Sequence, residues 1–314
     1  MLNVLSLFDG ISTGRLALEK AGVQVDKYYA CEIDENAIFI SKKNYPDIIQ
    51  LGDVKNVNVS KLPKIDLLIG GSPCQGFSRA GKCLNFDDPR SALFFEYVRI
   101  LNDIKKINPD VLFLLENVKM KNEWKDIITK YLEVEPIEIN SKLVSAQHRE
   151  RLYWSNIPGV TQPEDKNISL IDILEDTPVN RNINSSVVFD STISPASKEL
   201  VKVVNGEVRV SQAVKKGYIV AHNGDGVNLA FPGSKSRRGR VIKGKSSTLD
   251  CVCNICVLHN GNIRRFSITE LEKLQTLPVG YTAGISLSAR RKAIGNGWTT
   301  DVITHIFKGL STNF

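Results

Sequence analysis

No apolar run in these 314 residues approaches the roughly 20 needed to span a bilayer, which argues against a membrane helix. The stretch Met1–Asp9 has neither the basic start nor the small-residue cleavage site of a secretory signal. Cysteine is scarce: the six thiols are Cys31, Cys74, Cys83, Cys251, Cys253 and Cys256. In a long chain without an export signal they read as reduced cytoplasmic thiols, not a disulfide framework. Internal repeats and low-complexity segments are lacking too, which argues against fibrous and solenoid classes.

What is present is an ordinary globular composition, 42% hydrophobic and 24% charged, with enough chain for one large domain or two. The net charge of +7 is unevenly spread. Residues 196–245 hold 11 Lys or Arg against three Asp or Glu, whereas the rest of the chain holds 30 against 31. One fifty-residue window thus carries the excess, and such a window suits either a polyanion or a solvated basic face.

Apolar strands at 2–7, 26–32, 65–69 and 110–115 alternate with helical patterns at 13–21, 34–43, 91–107 and 122–132, and further strands follow near 134–143 and 151–155. This alternation predicts a doubly wound, mostly parallel α/β sheet covered on both faces. Residues 179–262, rich in Asn, Ser, Gly and Lys, predict a smaller irregular β domain that carries the basic window. Helical patterns return at 267–277, 286–294 and 299–308. The expected organisation is one domain from 1–178 and 263–314, with 179–262 as a second.

Several motifs fall at predicted strand ends, where open α/β sheets bind ligands. Phe8–Gly14 lies between the first strand and helix and suits either a structural turn or a cofactor loop. Glu32, 18 residues after Gly14, and Asp53 are carboxylates suited to a ribose or an amino group, or to helix capping. Gly70-Gly71-Ser72-Pro73-Cys74-Gln75-Gly76 puts a thiol at the sheet edge among glycines, a poor packing context for a core cysteine and a good one for a nucleophile. Glu116-Asn117-Val118 ends a very apolar strand, which suits Glu116 as a proton donor. Arg149 and Arg151 alternate at a strand start and can face one pocket, as guanidinium forks or as members of ordinary ion pairs. Cys251-x-Cys253-x-x-Cys256 with His259 is not a standard zinc spacing, and buried cysteines on a β-strand are the expected account.

The ordered set Phe8–Gly14, Glu32, Asp53, Pro73-Cys74-Gln75, Glu116-Asn117-Val118, Gln147–Arg151 and Gly295–Trp298 resembles the DNA (cytosine-5) methyltransferases. Leu5–Gly14, Val144–Gly159 and Arg238–Val241 look most similar to the animal de novo type and to small phage and bacterial relatives. Compared with most bacterial members, Phe8-Asp9-Gly10-Ile11-Ser12-Thr13-Gly14 lacks the usual Gly-x-Gly-Gly, a departure that matches the de novo type. The resemblance implies that Cys74 adds to cytosine C6, with Glu116 at N3 and the amino group. Arg149 would hold O2, and Arg151 would steady Cys74 and phosphate. It implies S-adenosylmethionine as cofactor, released as S-adenosylhomocysteine. The implied pocket comprises Phe8, Gly10, Thr13, Gly14, Glu32, Ile33, Asp53, Pro73, Leu93, Asn296 and Trp298.

The implied partner is double-stranded DNA, touched by Gln75 and by Ser78, Arg79 and Lys82 on a lid over 76–90. Residues 179–262 would be the target-recognition domain, where Arg237, Arg238 and Arg240 would meet bases or phosphates. No membrane partner, obligate protein partner or metal is expected, and the expected place is the cytoplasm. A catalytically dead binding relative would not need all of Cys74, Glu116, Arg149 and Arg151. The Cys-Phe-Thr signature of tRNA-acting relatives is absent. The chain length leaves no room for an added nuclease.

Overall fold

A computed structural model describes residues 1–73, 92–176, 178–179, 186–252 and 255–310. The large sheet consists of β1 (Leu2–Leu7), β2 (Val25–Cys31), β3 (Ile49–Gln50), β4 (Leu67–Gly70), β5 (Leu112–Val118), β6 (Ile137–Asn140) and β7 (Glu150–Ser155). Its order is β3-β2-β1-β4-β5-β7-β6. All pairings are parallel except those of β7, which runs antiparallel to both neighbours. The doubly wound, mostly parallel architecture expected from the sequence is therefore present.

Alternation along each strand feeds two cores. Leu5, Leu7, Leu68, Phe113 and Leu115 pack with α3 (Ala92–Ile107) and α4 (Asn122–Leu132). Val4, Leu67, Ile69 and Leu114 pack on the other face with α1 (Thr13–Lys20) and the C-terminal α8 (Thr300–Phe307). Burial on both faces explains why these strands read as continuous apolar runs. A third cluster joins α2 (Glu35–Asn44) to α6 (Ile268–Leu274) and α7 (Leu287–Asn296).

The second region holds α5 (Pro195–Lys198) and two small sheets. One is β11-β10-β9, formed by β9 (Val201–Val204), β10 (Glu207–Ser211) and β11 (Tyr218–Ala221). The other is β13-β12-β14-β15-β8, formed by β8 (Val188–Phe189), β12 (Asp225–Asn228), β13 (Arg240–Ile242), β14 (Cys256–His259) and β15 (Asn262–Arg265). Strand β14 joins the two regions: Cys256 and Leu258 enter the small core, whereas Val257 enters the cluster shared with α2 and α6.

The cysteine-rich segment departs from expectation. Cys256 is buried on β14, but Cys251 is exposed in a turn and not on a strand. The strand starts later because Asp250 turns the chain, its Oδ1 accepting from Val252 N at 3.0 Å. Among the described residues no group of three His, Cys, Asp or Glu side chains could hold a metal, and no helix is long and apolar enough to cross a membrane. Cys253 lies outside the described residues.

Candidate active site

The parallel strands end along one edge of the large sheet. Because β7 runs the opposite way, its first residues lie at that edge too. Glu116, near the end of β5 and 8% exposed, is thereby brought to Arg151 at the start of β7. Arg151 Nε lies 2.9 Å from Glu116 Oε1, and Trp298 Nε1 donates to Oε2 at 3.1 Å. Gly71, just past β4, borders the same group: a Cβ there would sit 2.9 Å from both Glu116 Oε2 and Trp298 Nε1. Only glycine leaves that space open. Asn117 Nδ2 donates to Ser72 Oγ at 3.1 Å and so pins the β4 exit to the β5 end. Pro73 follows directly. Cys74, Gln75, Ser78, Arg79 and Lys82, with the expected lid, lie outside the described residues.

Arg149 precedes β7 and is 5% exposed. Its guanidinium donates to the carbonyls of Leu249 at 3.3 Å, Gly295 at 3.5 Å and Gly297 at 3.2 Å. It thus ties the edge to the segment after β13 and to the end of α7. Two buried glutamines continue that tie. Gln147 Oε1 accepts from Leu249 N at 2.9 Å, and its Nε2 donates to Gln275 Oε1 at 3.1 Å. Gln275 Nε2 in turn donates to the carbonyls of Ile294 at 2.8 Å and Gly297 at 3.0 Å. The network thus fixes the carbonyl of Gly297, the chain neighbour of Trp298. Gln147 opens the Gln147–Arg151 motif, but its hold on Gln275 was not readable, because the two lie 128 residues apart.

The second half of the edge is the turn after β1. Phe8, Gly10 and Ser12 all have left-handed φ, at 57°, 59° and 58°. Two of these are not glycine, so the turn is strained and needs external holding. Asp9 provides it. Its buried carboxylate accepts from Tyr28 Oη at 2.7 Å and from the Ser12 hydroxyl, which in turn meets Ser41 Oγ at 2.6 Å. Burial pushes the Asp9 carboxyl up to about 6, against the hydrogen bonds from Ser12, Ser6 and Tyr28 and with help from the charge of Glu32. Sequence reading passed over Asp9; an acidic residue after a strand and before a glycine was the available clue.

Glu32 follows β2 and accepts backbone N–H from Gly10 at 2.8 Å through Oε2, and from Ile33 and Asp34 at 2.8 Å through Oε1. Ile33 beside it is 74% exposed, an apolar surface at the mouth of the edge. Asp53 caps a short 3-10 turn, its Oδ1 accepting from Lys55 N at 3.0 Å. Thr13 and Gly14 open α1 and are buried. A Cβ on Gly14 would meet Ile69 Cδ1 at 2.5 Å and Tyr28 Oη at 3.1 Å, so this glycine serves helix-to-sheet packing. Leu93 lies in the first turn of α3 and packs on its core. Asn296 is exposed at the end of α7 and accepts from the Cys251 thiol at 2.9 Å.

The family of C-5 cytosine-specific DNA methylases matches residues 2–312. The chain belongs to that family. It is a DNA (cytosine-5) methyltransferase, of a family that uses S-adenosylmethionine. It is 30% identical over 304 residues to the type II methyltransferase M1.ScrFI of Lactococcus lactis subsp. cremoris, covering 93% of this chain and 74% of that one. It is 36% identical over 179 residues to the orphan methyltransferase M.SPRI of Bacillus phage SPR, covering 53% of this chain and 39% of the phage protein. The chain thus spans under half the length of the phage relative. Among solved structures, a DNA modification methyltransferase encoded within an E. coli prophage aligns with TM-score 0.67 at 21% identity, covering 99% of each chain. The S. pombe Dnmt2 methyltransferase aligns with TM-score 0.60 at 15% identity, covering all of both chains. At those identities the structural likeness speaks for the methylase fold alone.

Proposed function

We propose that this methylase acts on cytosine in duplex DNA at the sheet edge that holds Glu116, Arg151 and Trp298. A flipped-out base is required, because C5 and C6 are inaccessible inside a stacked duplex, and flipping costs a few kcal/mol. The Cys74 thiolate adds to C6, which gives the ring enamine character and makes C5 nucleophilic. Glu116 contacts N3 and the amino group, gives N3 the proton that relieves the charge built as the thiolate adds, and takes it back as the thiolate leaves. Arg151 fixes the orientation of Glu116, and Arg149 stands by for O2. After C5 is methylated its proton leaves to a water-derived base, the C6–S bond breaks by β-elimination, and the thiolate is regenerated.

The residues around the turn after β1 fit the cofactor. S-adenosylmethionine, when bound, supplies a sulfonium-activated methyl group. The space beside Gly10 is open, since a Cβ there would meet nothing within 4 Å. Glu32 would hold the ribose hydroxyls, Asp53 the adenine amino group, and Phe8 and Ile33 the faces of the base. Gly10, Thr13, Gly14 and Pro73 shape the floor, while Leu93, Asn296 and Trp298 complete the walls.

The observation that carries this reading is the Glu116–Arg151–Trp298 cluster beside the exit of β4, directly before Pro73 and Cys74. The test is purified protein with methyl-labelled cofactor and duplex DNA. Label is expected in DNA, and expected to vanish with Cys74→Ala while cofactor binding persists. Label in tRNA alone, or undiminished label with Cys74→Ala, would overturn it.

A further inference from the structure

Strands β12 and β13 form a hairpin in which Asn228 pairs with Arg240, and the loop between them runs from residue 229 to 239. Residues 229–240 contain four basic side chains (Lys235, Arg237, Arg238, Arg240) and no acidic one. The loop is fastened at its base. Ser197 Oγ donates to Leu229 O at 3.1 Å, Val241 N donates to Gln212 Oε1 at 3.2 Å, and Gly239 is buried against Ser211 O. It is also fastened within. Ser234 N donates to Phe231 O at 2.9 Å, Arg237 N to Ser234 Oγ at 3.0 Å, and Arg238 Nη1 to Lys235 O at 2.8 Å.

On this frame Phe231 is 54% exposed and has a φ of 58°, a conformation that bulky side chains rarely adopt. The Arg237 guanidinium lies over its ring, 4.3 Å from the centroid. Among the described residues, that guanidinium makes no hydrogen bond or ion pair. Its N–H edge is therefore available, while its cationic centre is held over the ring beneath.

From this pairing we propose that Phe231 is a specificity-determining positioning residue: its ring fixes the plane of Arg237 so that the guanidinium edge reads a guanine in the target sequence. A phosphate contact needs only charge, which the exposed Lys235 already offers. A planar fork matched to guanine O6 and N7 is the contact for which a stacked, pre-oriented arginine is worth having. The inference rests on the proposed action on duplex DNA.

The test treats a random-sequence duplex library with the purified full chain and its variants, and reads the methylated sites by bisulfite sequencing. Arg237→Ala is expected to lower discrimination at one position of the target sequence by roughly tenfold. Phe231→Leu should lower it at the same position by roughly two- to fivefold. Phe231→Tyr should keep the parental profile, and Phe231→Leu with Arg237→Ala should be no worse than Arg237→Ala alone. An unchanged profile for Phe231→Leu, or a uniform fall at all sites, would overturn the proposal, provided that cofactor affinity matches the parent. If the unsubstituted chain methylates no DNA, the functional reading itself falls, an outcome distinct from either.

Discussion

Replacing Asp9 by asparagine tests whether the strained turn after β1 rests on a buried charge. The Asp9 carboxyl titrates at about 6 in the folded chain against an ordinary value of 3.8, chiefly because burial disfavours its charged form. The folded state therefore keeps a proton that the unfolded state has released, between about pH 4 and pH 6. Stability contributed by this group falls as pH rises through that window, at roughly 1.4 kcal/mol per pH unit. The whole effect is on the order of 3 kcal/mol, fully developed above pH 6 and absent below pH 4. The amide introduced by Asp9→Asn does not titrate, so the difference in unfolding free energy between parent and variant isolates the group. Urea unfolding at fixed ionic strength from pH 4 to pH 8 is the assay. The parent should lose on the order of 3 kcal/mol relative to the variant between pH 4 and pH 7, with equal m-values. A difference flat to within about 0.5 kcal/mol would show that Asp9 is not the buried charge described. Two hydroxyls now share a charged acceptor, so Asp9→Asn should also weaken cofactor binding, more at pH 8 than at pH 5.

Arg151→Met strands the buried Glu116 carboxylate; a loss of about 3 kcal/mol is expected in urea unfolding, and adding Glu116→Gln should restore part of it. A double variant no more stable than Arg151→Met would refute the pairing. Gly239→Ala places a Cβ 2.0 Å from Ser211 O, on a strand paired on both sides, at a φ of 51°. It should displace the β12–β13 loop at a cost of about 1–3 kcal/mol and weaken duplex binding in a filter or anisotropy assay, with cofactor affinity unchanged.

The large sheet was legible because its strands, buried on both faces, read as apolar runs separated by helical periodicity. The place of β7 was not. A strand slotted antiparallel between β5 and β6 is decided by which edge pairing buries Leu152, Tyr153 and Trp154, and local pattern does not encode that choice. The same placement is what brings Arg151 to Glu116. The motif carriers at the edge were legible as residue types at strand ends, yet their supports were not. Asp9 is met by Tyr28, its partner Ser12 by Ser41, and Gln147 by Gln275, and in each case the partners are far apart in sequence. Cys251 misled because C-x-C spacing resembles strand alternation, while Asp250 starts a turn. Phe231 carried no periodic signal at all, and a positive φ at a phenylalanine is invisible until the backbone is seen.

The basic window shows most clearly what composition conceals. Read as a sum, residues 196–245 offer a net charge of eight to a polyanion. In the folded chain much of that charge is fastening. Lys245 Nζ donates to the carbonyls of Lys142 and Ser145, and burial pulls its pKa down. Lys243 pairs with the buried Asp225 at 2.8 Å, and Arg209 pairs with Glu207 at 2.7 Å. Arg238 holds the carbonyls of its own loop. Lys245 joins the small sheets to the methylase core, Lys243 and Arg209 brace the small sheets themselves, and Arg238 shapes the loop, so removing Lys245 or Lys243 costs structure before it costs affinity. Lys235 and Arg237 in the β12–β13 loop and Arg240 at the start of β13 are exposed cations. The salt dependence of duplex binding should therefore follow these three together with Lys202, Lys215 and Lys216, which are exposed and make no ion pair among the described residues, and fall short of the full window. A slope of log K against log salt that reflected all eleven cations would contradict the division of labour that the hydrogen bonds describe.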